Sequence, residues 1–133
     1  MNKFWEEKLL RLCLRPRVEC DLPGRLRISF GTYRLLPKEA LPYLHYIRDV
    51  LELLPGVTGA DINPRIGTVL ILYDPDMTDS RAILRWVDIV ADEGIRISQE
   101  IAWQNADEKE LRELVRNRLI LRLPQEKTGQ KEG

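Results

Sequence analysis

"LPGVTGADINPRIGTVLILYDP", Leu54 to Pro75, holds two strands and the turn that joins them. The first, "VTGADIN" at 57–63, is anchored by Val57 and Ile62, and Gly59 suits a bulge. The second, "TVLILY" at 68–73, is almost wholly apolar, the pattern of a strand central in its sheet. Pro64-Arg65-Ile66-Gly67 between them reads as a four-residue hairpin turn. Pro55-Gly56, just ahead of the first strand, is a helix stop.

Upstream, that helix is opened by Pro37-Lys38-Glu39 with proline in its first turn. Ala40, Leu44, Ile47, Leu51 and Leu54 form its apolar stripe at helical spacing. Further back, "CDLPGRLRISF" at 20–30 reads as an entry turn and then a strand, because Leu26, Ile28 and Phe30 alternate with Arg25, Arg27 and Ser29. Downstream, "DPDMTDS" ends in a helix cap at Thr78 or Asp79. A second helix is predicted over 80–93, with Ile83, Val87 and Val90 inward, joined by Leu84 and Ala91, and Gly94 as its stop. "IRISQEI" at 95–101 then predicts a fourth strand through Ile95, Ile97 and Ile101.

The order over 18–101 is β-α-β-β-α-β, the ferredoxin-like arrangement. The fold class expected is therefore α+β, a ferredoxin-like sandwich with an additional helix at each end. The N-terminal helix spans 1–17 and is stopped by Pro16; Trp5, Leu9, Leu12 and Cys13 share one of its faces. The C-terminal helix lies within 102–123, on the stripe Leu111, Leu114, Val115 and Leu119. Residues 124–133 are polar and are expected to form a loose tail.

The 133 residues suffice for one domain with a real core: 44% are apolar and 32% charged. Net charge is zero, but residues 1–36 carry eight Lys/Arg against four Asp/Glu, so the excess of positive charge is local. Bulk electrostatics exclude a general nucleic-acid binder. The sheet strands also lack the aromatics an RNA-binding face needs, with Phe30 and Tyr73 only at strand ends. No signal peptide or membrane span is predicted, and two cysteines are no disulfide framework, so a cytoplasmic location with reduced thiols is expected.

With these elements in place, the chain resembles the heavy-metal-associated domains, the small modules of copper chaperones and of the N-termini of metal-pumping P-type ATPases. "LPGRLRI" at 22–28 and the hairpin at 54–75 carry the likeness, which does not reach either terminal helix. It is similar above all to a divergent branch that opens with "PGRLR" and lacks the metal-binding CxxC. Ordinary members place two cysteines between the first strand and first helix, where a pair of thiolates chelates a soft metal. The matching segment here, "FGTYRLLPK" at 30–38, has no Cys, Met or His. The resemblance thus implies the fold without the metal site, and no cofactor is expected.

Other candidates have plainer readings. Cys13 and Cys20 form an alternative metal pair, as in a metal chaperone, but two thiolates do not close a zinc site and both read as small buried apolar residues. His45 reads as structural or exposed. The acidic run Asp74-Pro75-Asp76-Met77-Thr78-Asp79 lacks the glycine and glutamate of a calcium loop and suits a helix N-terminus. Arg34 and Asn63 stand roughly where an acylphosphatase-like enzyme holds its arginine and asparagine, but the phosphate-cradling glycine pattern is missing. Residues 3–17 carry five Lys/Arg against two glutamates behind Phe4 and Trp5. Such a basic amphipathic segment contacts a protein partner, a second copy or its own domain, with an anionic membrane surface as the alternative. Arg112, Arg116, Arg118 and Arg122 crowd the C-terminal helix beside "LILRL". The function expected is a non-catalytic, metal-domain-like binding or adaptor module linked to metal transport or homeostasis machinery. Its partner-binding residues would be Phe4, Trp5, Leu9, Leu12, Arg112 and Arg116.

Overall fold

The computed structural model describes residues 15–30, 46–63, 65–100 and 107–124. Phe4, Trp5, Leu9, Leu12, Cys13, Arg34, the segment 31–38, His45 and the tail from 125 lie outside the described residues. Seven elements follow in order among the described residues: β1 (Arg17–Leu22), β2 (Arg25–Ser29), α1 (Tyr46–Leu51), β3 (Val57–Asn63), β4 (Thr68–Tyr73), α2 (Ser80–Glu100) and α3 (Glu108–Leu121). The architecture is α+β, with one antiparallel sheet in the order β1-β2-β4-β3.

The central hairpin forms as its sequence requires. Gly67 takes φ +70° at the turn, where its N–H donates to the Asn63 carbonyl at 2.9 Å. The Asn63 side chain closes the turn from inside, accepting from the Arg65 N–H at 3.1 Å. The register slips between Val57 and Gly59, which is the bulge expected at Gly59. Before β3, the last turn of α1 tightens into i→i+3 bonds and Gly56 turns the chain at φ +100°.

Two sequence expectations are overturned. Residues 20–22 are not an entry turn but the end of β1, which pairs with β2 around Pro23-Gly24. Gly24 has φ +81°, and Pro23 before it supplies the proline–glycine pair of a type II turn. Residues 95–100 are not a fourth strand but the last turns of α2, which runs straight through Gly94. Ile83, Trp86, Val87, Val90, Glu93 and Ile97 keep helical spacing across that glycine, and all but the half-buried Val90 are buried. The sheet edge beside β2, where a strand from 95–101 would pair, belongs to β1.

The three described helices and the inward sheet residues share one core. Leu26, Ile28 and Ile71 meet Leu51 of α1, Trp86 of α2 and Leu119 of α3 there. Inside it, the Trp86 indole N–H donates to the Val50 carbonyl at 2.9 Å, tying α2 to the end of α1. Arg48 donates from Nε to the Ala60 carbonyl of edge strand β3 at 2.9 Å. The N-termini of α2 and α3 are capped by Asp79 and Asp107, whose carboxylates accept from the N–H groups of Ala82 and Glu110. Among the described residues, no helix is long and apolar enough to cross a membrane.

Candidate functional site

α1 and α3 run beside each other over a groove of about 130 Å³. Val50, Leu53 and Val115 supply apolar lining, and Asp49, Arg112 and Arg116 are charged residues along it. Arg112 and Arg116 are four apart on α3, so both reach the same side. Arg112 donates from Nη2 to the Asp49 carboxylate at 2.8 Å and lies 4.6 Å over the Tyr46 ring. Both partners of the ion pair are about half exposed, so it contributes at most about 1 kcal/mol and its effect is to hold the guanidinium in place. Arg116 is exposed and makes no ion pair among the described residues. The volume is well below the roughly 300–1,000 Å³ of a small-molecule pocket. It suits an inserted apolar side chain, with arginines to meet a carboxylate beside it. Past the groove, the C-terminal end of α3 exposes Ile120 and Leu121, the latter 82% exposed.

The polar link between α2 and α3 lies elsewhere on the same helix. Glu93, 4% exposed, receives Arg122 Nη1 on Oε1 at 2.9 Å. Its Oε2 lies 2.7 Å from Arg118 Nη2, a charge contact whose angles fall outside those of a hydrogen bond. Arg118 also bonds Glu100 at 2.7 Å, and Arg122 bonds Asp92 at 2.9 Å. The hydrogen bond to Glu100, followed by smaller charge effects, raises the Arg118 guanidinium above its ordinary pKa. The bonds to Asp92 and then Glu93 raise that of Arg122. The Glu100 carboxyl is held below the usual carboxylate range, chiefly by the bond from Arg118. This ladder escapes a reading that ends the helix at Glu93. The spacing of Glu93 from Ile83, Trp86 and Val90 is the signal that it faces inward.

Arg112 and Arg116 come together at the groove; Phe4, Trp5, Leu9 and Leu12 lie outside the described residues. Cys20 stands on β1 opposite Arg27, away from the helices, and Cys13 lies outside the described residues. The described residues contain no group of three or more His, Cys, Asp or Glu able to hold a metal ion. In the acidic run, Asp74 accepts from the Asp76 N–H on its side chain and from Met77 and Thr78 on its carbonyl, a local turn network beside the Asp79 cap. No protein-family model matches the chain, and no curated protein or solved structure shows significant similarity to it.

Proposed function

We propose that the chain is a non-catalytic binding or adaptor module, similar to a heavy-metal-associated domain without its metal loop, that works through protein contacts in metal transport or homeostasis. The α1–α3 groove carries this reading: an apolar slot held open between two helices, with Arg112 pinned by Asp49 and Tyr46 and Arg116 beside it. The ferredoxin-like reading is supported by the strand order, in which β2, β4 and β3 keep the places of a split βαβ unit and β1 takes the remaining edge.

The test is cross-linking capture from the source cell with the full chain beside Arg112→Glu/Arg116→Glu. A defined partner should be retained by the parent and lost by the variant at unchanged thermal melting. A partner retained equally by both would remove the groove from the reading. Cu(I) or Zn(II) bound at submicromolar affinity, and abolished by Cys13→Ser/Cys20→Ser, would establish the chaperone alternative in its place.

A further inference from the structure

The sheet face opposite the helices carries an ordered pattern. The ladder sets Leu22, Arg25 and Leu72 in one row across β1, β2 and β4, with Gly59 of β3 beside Leu72. The next row on that face is Cys20, Arg27, Leu70 and Asp61. Arg25 and Arg27 therefore form a basic column on β2, flanked by Leu70 and Leu72 on one side and by Cys20 and Leu22 on the other. Leu22 is 53% and Leu72 42% exposed, and both arginines are exposed. Neither arginine has an ion-pair partner among the described residues.

We propose that this face binds a partner protein's amphipathic helix that presents acidic residues one turn apart between apolar ones. Three features select that occupant. Residues two apart on a strand stand about 7 Å from each other, close to the roughly 6 Å between side chains at i and i+4 of a helix. The apolar columns on β1 and β4 are two strand spacings apart, about 10 Å, which matches the width of one α-helix. The charge is the third feature: the exposed centre is cationic, so the complementary stripe is anionic. The chain's own residues 3–17 carry five Lys/Arg against two Glu and are the wrong sign for it. This surface is separate from the α1–α3 groove, and either can fail alone.

The experiment titrates the full chain into two labelled synthetic helices, alike in leucines and carrying either glutamate or lysine at i and i+4. The glutamate helix should bind, and Arg25→Glu/Arg27→Glu should weaken it about tenfold while admitting the lysine helix. Leu72→Ser should weaken the glutamate helix without exchanging the preference. Arg112→Glu/Arg116→Glu should leave it unchanged, which separates this face from the groove. Failure of the glutamate helix to bind, or equal binding before and after charge reversal, overturns the proposal. So does binding to phosphatidylserine vesicles without peptide binding, which would make the face a lipid surface. Concentration-dependent dimerisation abolished by Leu72→Ser, with no peptide binding, would assign it to a second copy and overturn it equally.

Discussion

The end of α1 and the middle of α2 begin with the same ingredients and finish differently. Each has an apolar helical stripe, then a glycine, then a segment rich in β-branched residues: Val57–Asn63 after Gly56, and Ile95–Glu100 after Gly94. α1 ends at Leu51, and the turn that follows passes through Gly56 into β3. At Gly94 the helix continues for six more residues. Gly56 follows a proline, takes φ +100°, and lies against Thr78 and Met77. Gly94 has no positive φ, and a methyl placed on it would meet nothing within 4 Å. A glycine permits a helix to stop; whether it does depends on what the next residues can pair with. β3 has the free edge of β4 to join. Residues 95–100 meet a sheet in which the outer side of β2 is already paired with β1.

Trp86→Ala is the harshest way to disturb this contrast. It removes the largest fully buried side chain among the described residues and its bond to the Val50 carbonyl, which links α2 to the end of α1. A loss of about 3–5 kcal/mol is expected, read from urea unfolding. A shift below about 1 kcal/mol would mean that α2 holds its course without this packing.

The two glycines give the direct comparison. Gly56→Ala should cost about 2–3 kcal/mol, since it adds positive-φ strain to a methyl 2.8 Å from the Thr78 Cγ2. Gly94→Ala should instead stabilise by about 0.5–1 kcal/mol by improving the helix interior. If thermal melts move the same way for both, the assignment of Gly94 to a helix is wrong.

Between these in size falls Glu93→Gln. It leaves Arg118 and Arg122 facing a neutral amide at a buried position, with an expected loss of about 1–2 kcal/mol. Combining Glu93→Gln with Arg118→Gln should cost less than the sum of the singles if the ladder acts as a unit. Strict additivity would show that it does not.

The smallest effect concerns pH. The folded-state pKa of Glu100 is lowered, so its share of stability is present above the unfolded carboxylate value. It is lost as pH falls through the folded one. Arg118→Gln should flatten that part of the acid limb in pH-dependent melts, and an identical acid limb in both proteins would show that the bond is not formed in solution.

Local chemistry alone determined the hairpin at 57–73, the bulge at Gly59, the positive-φ turns at Gly56 and Gly67, the capping of the helix after Asp79, and the helix from Asp107. Each depends on residues a few positions apart, so each is legible without the rest of the chain. Of the groove, Arg112 and Arg116 were legible as a pair four apart on a helix. Asp49 and Tyr46 were not, because they come from an element more than sixty residues earlier. The course of 95–100 is the clearest decision of the tertiary structure. Ile95 and Ile97 suit a strand or a helix by composition, and their local pattern favours a strand. Which one forms depends on a distant event: β1 pairs with β2 and takes the edge, while Trp86, Glu93 and Ile97 gain burial on the helical face. A fourth strand at 95–100 would need the position beside β2, and only the folded sheet determines that β1 holds it.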